Sequence, residues 1–432
     1  MSEEKVDWYL DFVDSKREPR KDEIQLLFKV TPAKGFSIEE AAGRIASESS
    51  VGTWTTLSTL TQETINRMAK AYRISNDLVW VTYPLELFEL GSIPQLFSSV
   101  FGNIYGMKAV SRLRIMDIKF PEEYVKSFRG PQFGLEGVQN ILKVKGRPIL
   151  ATVPKPKLSP SPEAHAKIGY EIWMGGEDLL KDDENLTSQP FNKFEDRVRE
   201  VLKYRDKAEK ETGERKSALI NITAETEEMK RRAKLVKDYG GEFIMIDILT
   251  VGWAALQTMR EVAEDLGLAI HAHRAFHAAF DKLPDHGATM LVLAKMSRLI
   301  GVDLLHIGTG VGKMEGTKSE VIRHKEAVTL EDVPQEDIYF SQKWYGLKPV
   351  TPVSSGGLHP GLIPALLDYM GPDIAVQIGG GVLGNPLGAR AGAKAARDAI
   401  DAWQKKIPLE EYAEKSKELK AALEKWGTKS FE

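Results

Sequence analysis

The chain has 432 residues, 42% hydrophobic and 28% charged, which suits a soluble globular protein with ample core and excludes a disordered one. A formal charge of -3 and a sequence pI near 6.3, with no long Lys/Arg block, leave no electrostatic footprint for nucleic acid, so a small-molecule partner is expected. With no cysteine there is no disulfide, thiolate nucleophile or Cys-ligated zinc, and any metal must rest on oxygen or histidine.

The opening MSEEKVDWYLDF lacks the basic-then-apolar order of a signal peptide, and no uninterrupted apolar stretch reaches the roughly 18 residues of a membrane span. A cytoplasmic protein with no membrane partner is expected. Residues 23–31 (EIQLLFKVT) and 77–83 (DLVWVTY) read as strands, 37–48 as a helix capped by Ser37, and 112–120 (RLRIMDIKF) as an alternating strand. These predict an N-terminal α+β domain over residues 1–130, with a joint in the glycine and proline-containing segment 128–135.

Beyond that joint, short apolar runs alternate with amphipathic helices. The runs are 149–153, 178–181, 218–223, 243–248, 268–273, 303–307, 350–354 and 374–378, with helices such as 225–239 and 252–266 between them, each followed by glycine. Eight strand and helix repeats predict a (β/α)8 TIM barrel within residues 131–432, an α/β architecture, with an open doubly wound sheet as the alternative. The tail, 408–426, reads as extra helix.

In such a barrel the chemistry sits where the strands end at their carboxyl side. Run one ends in Lys155 and Lys157, run two in Lys181-Asp182-Asp183-Glu184, run three in Asn221 and Thr223, run five in His271-Ala-His273-Arg274 with His277 after it, and run six in His306. Strand alternation puts Lys181 and Asp183 on one side, with Glu184 at the strand end. That is an oxygen-rich pocket for a hard cation such as magnesium, and an ammonium beside it would repel the ion. The lysine must therefore be neutral or modified, and a neutral amine can add carbon dioxide to become an anionic carbamate ligand. Alone, the acidic run also fits a solvated turn capping the next helix.

Runs seven and eight end in Ser354-Ser355-Gly356-Gly357 and Gly379-Gly380-Gly381, glycine turns whose free N-H groups suit phosphate; alone they also fit flexible turns. Arg274 and His306 are candidates for a second phosphate. The segment 308–316, GTGVGKMEG, lacks the glycine at 307 and the hydroxyl residue at 314 of a nucleotide phosphate loop. It reads as a hinged lid carrying Lys313 over the site, or as a mobile surface loop.

These motifs in this order, with KPK at 155–157, GGEDLLKDDEN at 175–185, HAHRAFH at 271–277, HIGTGVGKMEG at 306–316, SSGG at 354–357 and GGGVLGNP at 379–386, closely resemble the large subunit of ribulose-1,5-bisphosphate carboxylase/oxygenase (RuBisCO). The N-terminal stretches ESSVGTWTT at 48–56 and GNIYG at 102–106 match as well, and the compact C-terminal end resembles the archaeal form III enzymes. The resemblance implies a carboxy-lyase that enolises ribulose 1,5-bisphosphate with magnesium, adds CO2 or O2 and cleaves the product to 3-phosphoglycerate, in carbon fixation or nucleotide (AMP) salvage.

It further implies a carbamylated Lys181 (N6-carboxylysine) holding Mg2+ with Asp183 and Glu184, and removing the C3 proton. Lys155 would manage later proton transfers, His273 would assist hydration, Lys157 would orient the metal site, and Lys313, paired with Glu48, would stabilise the new carboxylate. One phosphate would lie on Thr53, Trp54, Gly357, Gly379 and Gly380, next to Gly356; the other on Arg274 and His306, with Ser355 between and Asn103 reaching the substrate. In this family Glu48, Thr53, Trp54 and Asn103 belong to the neighbouring subunit, so a homodimer or an oligomer of dimers is implied, with no small subunit. Ser159, Gly310 and Asn385 depart from better-known members, and the extra lid glycine implies weaker discrimination against oxygen.

Two other readings share parts of the pattern. RuBisCO-like proteins enolise other sugar phosphates but carry substitutions in the lid and phosphate loops, whereas Lys155, His306, Lys313, Ser355 and both glycine loops are kept here. Metal-dependent amidohydrolases combine an H-x-H pair with a carbamylated lysine, but on strand one, whereas here the pair is on run five.

Overall fold

The computed structural model describes residues 7–53, 55–311 and 317–429. The chain forms two compact units, one from Met1–Arg129, Phe276–Ile300 and Leu330–Leu347, the other from Gly130–Ala275, Gly301–Thr329 and Lys348–Glu432.

In the first unit, β1 (Glu23–Pro32), β2 (Lys70–Ser75), β3 (Leu78–Pro84) and β4 (Val110–Lys119) build an antiparallel sheet, joined at the edge of β4 by the short parallel strand Gly287–Ala288. β1 lies between β3 and β4, which is why Ile24, Leu26, Leu27, Phe28 and Val30 are all buried. The helix Ile38–Glu48 starts where expected, because Ser37 Oγ accepts the Glu40 N-H at 3.1 Å. Ala41, Ala42, Ile45 and Ala46 form its buried stripe. At Gly43 an added Cβ would come within 2.2 Å of the Tyr9 carbonyl oxygen, so only glycine allows this close approach.

In the second unit, β5 (Ile149–Thr152), β6 (Leu179–Lys181), β7 (Ser217–Asn221), β8 (Phe243–Asp247), β9 (Ala269–His273), β10 (Leu304–His306), β11 (Thr351–Ser355) and β12 (Ala375–Ile378) pair in sequence order, all parallel, and close into a barrel. This is the TIM barrel expected from the eight runs. Ile149, Ala151, Leu179, Leu219, Phe243, Met245, Ala269, Leu304, Val353 and Ala375 share one buried cluster that fills the interior. Buried on both faces, the strands read as continuous apolar runs rather than as alternation.

Helices follow the strands as the spacing predicts. Thr226–Asp238 is capped by the Glu225 carboxylate, and Trp253–Leu266 stops at Gly267, whose φ of +63° ends the turn. The extra helix expected over 408–426 comes as two segments, Leu409–Ala413 and Lys417–Trp426, because Ser416 Oγ accepts the Leu419 N-H and begins a new helix. Among the described residues no helix is long and apolar enough to cross a membrane.

Candidate active site

β6 delivers Lys181 to the carboxyl end of the barrel. The side chain is fully buried, and its Nζ donates to the Asp182 carbonyl at 2.8 Å and lies 3.6 Å from Glu184 Oε2. Burial lowers its pKa against the raising influence of Glu184, Asp247, Asp183 and Asp182, so the amine surrenders its proton more readily than an exposed lysine. Neutral, it is a nucleophile.

The carboxylates that follow divide. Asp182 points away from the site and into the protein, where it accepts the Arg197 guanidinium at 3.0 Å and the Asn221 N-H at 3.0 Å and meets His165 Nε2 at 3.0 Å. Burial opposes its charge, but Arg197 and His165 overcome burial and hold the carboxyl at about 2. Asp183 takes the Lys155 ammonium at 3.0 Å and the Asn185 N-H at 3.1 Å. Glu184, opposed by burial, is lowered to about 2 when Lys181 and His273 carry positive charge. Asn221 Nδ2 bonds the carbonyls of 183 and 184 at 3.3 and 3.2 Å, which sets the curvature of this turn.

His273, at the end of β9, accepts the Ala275 N-H on Nδ1 at 3.1 Å, so in its neutral form the proton sits on Nε2, 3.6 Å from Glu184 Oε2. Its Nδ1 lies 3.5 Å from Asp247 Oδ1. Burial, then Lys181, lowers its pKa and favours that neutral form. His306 is buried and uses both ring nitrogens, Nδ1 with Ser355 Oγ at 2.8 Å and Nε2 with His271 Nε2 at 2.9 Å.

A cavity of about 560 Å³ gathers Lys155, Glu184, His273, Ser355, Gly356, Gly357, Gly379 and Gly380, with His359, Gln377 and Trp426 completing the wall. Gly356 and Gly357 sit at φ +115° and +71°, conformations that a side chain would strain. An added Cβ at Gly379 would press to 3.2 Å from Lys155 Cε, so the bare backbone gives the lysine its room. The Arg274 guanidinium lies against Gly308, and its charge reaches His306. Lys157 is exposed. In the first unit, Glu48 accepts Asn103 Nδ2 at 3.2 Å and the Thr53 carbonyl accepts Trp8 Nε1 at 2.9 Å. Trp54 and Lys313 lie outside the described residues.

The donor set suits a hard dication once one more oxygen is added. Among the described residues no three His, Cys, Asp or Glu side chains converge on a point, so Asp183 and Glu184 need a third ligand. Lys181, buried beside them with its pKa lowered by that burial, is the group whose carbamate would supply it.

The profile of the "Ribulose bisphosphate carboxylase large chain, catalytic domain" matches residues 134–426, and that of the N-terminal domain matches residues 11–124. The chain belongs to the ribulose bisphosphate carboxylase large-chain family. It is 53% identical to the ribulose bisphosphate carboxylase of Pyrococcus abyssi over 99% of both chains, and 49% identical to that of Archaeoglobus fulgidus over 97% of this chain and 98% of the other. Among solved structures, the dimeric archaeal Rubisco of Hyperthermus butylicus superposes with a TM-score of 0.93 at 54% identity, covering 97% of this chain and 99% of that one. A sulfate complex of the octameric Rubisco of Pyrococcus horikoshii gives 0.92 at 53%, covering 98% of each.

Against this family background, the carboxylase fold expected from the motifs is what the chain adopts. The sequence motifs did not point to Arg197 and His165, and gave no role to Asp182, which these two hold beside Lys181, or to His271, which stands behind His306. Strand alternation held a signal for His271, since residues 271 and 273 face the same side of β9.

Proposed function

We propose that this chain catalyses carboxylation and oxygenation of ribulose 1,5-bisphosphate. The observation that carries the reading is Lys181, buried and disposed to lose its proton beside Asp183 and Glu184, at a cavity walled by Lys155, His273 and two glycine loops.

In this reading the carbamate of Lys181 would hold Mg2+ with Asp183 and Glu184. Bound there, the ion would supply a Lewis acid that lowers the energy of the enediolate. So modified, Lys181 would also supply the base that removes the C3 proton. Lys155, whose ammonium is already in the carboxylate cluster, shuttles protons on the enediol and finally protonates the carbon left by cleavage. His273, neutral with its proton on Nε2, assists hydration at C3 after C2 has added to CO2. Cleavage of the C2–C3 bond then yields two 3-phosphoglycerates. Lys157 orients the cluster, and Lys313 on the lid, paired with Glu48, meets the new carboxylate.

The glycine loops at 356–357 and 379–380 receive one phosphate together with Thr53 and Trp54; Arg274 receives the other, beside His306, whose two ring nitrogens are taken by His271 and Ser355. Asn103, held by Glu48, reaches the substrate. Glu48, Thr53, Trp54 and Asn103 would come from a second copy of the chain, making a homodimer or an oligomer of dimers the working unit, without a small subunit. The dimeric and octameric relatives support that assembly. We also place the domain boundary at 130/131, supported by family matches that end at 124 and resume at 134, and the enzyme in the cytoplasm.

Incubation with ribulose 1,5-bisphosphate, magnesium and labelled bicarbonate tests the activity. Acid-stable label in 3-phosphoglycerate is expected. Bisphosphate consumption without label would instead point to enolisation of a related substrate.

A further inference from the structure

Three groups stand in line at the carboxyl ends of β9, β10 and β11. His271 Nε2 meets His306 Nε2 at 2.9 Å, and His306 Nδ1 meets Ser355 Oγ at 2.8 Å. His271 and His306 are each about 1% exposed, and burial keeps both rings neutral. One proton lies between the two Nε2 atoms, and neutral rings leave only two arrangements.

If His306 donates to His271, the proton of His271 must sit on Nδ1. That atom is buried and has no hydrogen-bond partner among the described residues. A buried N-H without an acceptor is the rarer and more costly kind of orphan. Ser355 would then spend its hydroxyl proton on His306 Nδ1, turning only lone pairs toward a cavity lined by glycine N-H groups and a lysine. If His271 donates instead, its Nδ1 is a bare lone pair, and His306 carries its proton on Nδ1 and gives it to Ser355 Oγ. The Ser355 hydroxyl then keeps its own proton to donate into the cavity that it lines.

We propose that His271 is a positioning residue: by donating from Nε2 it holds His306 in its Nδ1-H form and leaves the Ser355 hydroxyl as a donor to an anionic or hydroxyl oxygen of the bound sugar phosphate. The part concerning the ligand rests on the function proposed above; the tautomer does not. His271 touches no substrate and acts through two intervening groups.

Nitrogen-15 chemical shifts of histidine-labelled full-length enzyme read the tautomer directly. His306 is expected to show a protonated Nδ1 and a bare Nε2, and His271 the reverse; a His306 with its proton on Nε2 overturns the proposal. Kinetics give the second arm. His271→Phe removes the donor and should raise KM for ribulose 1,5-bisphosphate about tenfold, in line with one weakened bond to a charged group, with kcat changed less than about twofold. His271→Gln, whose amide N-H can still donate to His306, should return KM to within about twofold of the unaltered enzyme. Equal KM in all three proteins, or an equal rise in both variants, overturns the positioning role. Should labelled bicarbonate never enter product, the activity reading fails while the tautomer measurement still stands or falls by itself.

Discussion

Asp182 and Arg197 form a buried ion pair, Oδ2 to Nε at 3.0 Å, and Asp182 stands in the sequence between Lys181 and Asp183, two of the three residues proposed to hold the metal. Because the backbone alternates, anchoring Asp182 inward turns its neighbours toward the cavity. Removing one partner strands the other charge in a dry environment, so Arg197→Met should destabilise the protein by about 3–5 kcal/mol. The folded-state value of Asp182 lies below its usual 3.8, so the pair stabilises above that value and the contribution is lost as pH falls through about 2. Denaturant unfolding at pH 7 and at pH 3 checks both statements. Equal stability of variant and parent at pH 7 would remove the anchor from the account.

The contrast between Asp182 and its neighbours also shows what a sequence can carry. The eight barrel strands were legible because strands buried on both faces appear as apolar runs, and the polar residues that end them mark the carboxyl side. β2, KAYRIS, was not legible: it is a short edge strand with one exposed face, joined to β3 through Asn76 at φ +54°. Nor does the run KDDE announce that its first carboxylate, Asp182, turns inward. Its partners, His165 and Arg197, stand 17 and 15 residues away, and only the packing of their helices brings them to it. The same holds for His271, which looks in the motif like one histidine among three. Its distinguishing feature is a ring on the next strand.

Carbamate formation at Lys181 requires the neutral amine, and burial lowers the pKa of this lysine. The enzyme should therefore take up activating CO2 at pH values where an exposed lysine is almost wholly protonated, and uptake should fall as pH drops through the folded-state value. Lys181→Ala should take up none and lose about 10²–10⁴-fold in turnover, the range expected for removing a positioned base. Chemical trapping of labelled CO2 on the intact protein, followed by peptide mapping, gives the site. Label on a different lysine, or full turnover in Lys181→Ala, contradicts the assignment.

Glu177, two residues before β6, is wholly buried, and neither carboxylate oxygen has a hydrogen-bond partner among the described residues. Burial pushes its pKa up to about 8, with Thr152 opposing, so the side chain is a neutral acid under most conditions. In the unfolded chain it ionises near 4.5. Stability from this group is thus full below pH 4.5 and declines as pH rises to about 8, by about 1.4 kcal/mol per unit for one proton. Glu177→Gln keeps the shape and removes the titration. Its stability relative to the parent should rise between pH 5 and pH 8 and then level off, whereas a constant difference across that range would show that Glu177 does not titrate as described.

Gly310 opens the lid segment at φ +68°, and a Cβ built there would lie 3.0 Å from Lys318 Cα and 3.2 Å from Tyr369 Oη. Tyr369 in turn donates its hydroxyl to the Thr309 carbonyl, which fixes the chain just before the turn. Valine at this position meets two penalties at once, a left-handed backbone that costs a β-branched residue on the order of 1–2 kcal/mol and a methyl group pressed against Lys318. Asparagine meets mainly the second, since it tolerates this backbone. If the lid conformation sets how well carbon dioxide is chosen over oxygen, Gly310→Val should shift the ratio of carboxylation to oxygenation, with Gly310→Asn shifting it less. The unaltered enzyme should discriminate less well than a plant enzyme assayed beside it. A plant-like ratio that neither substitution moves would separate specificity from the glycine at the base of the lid.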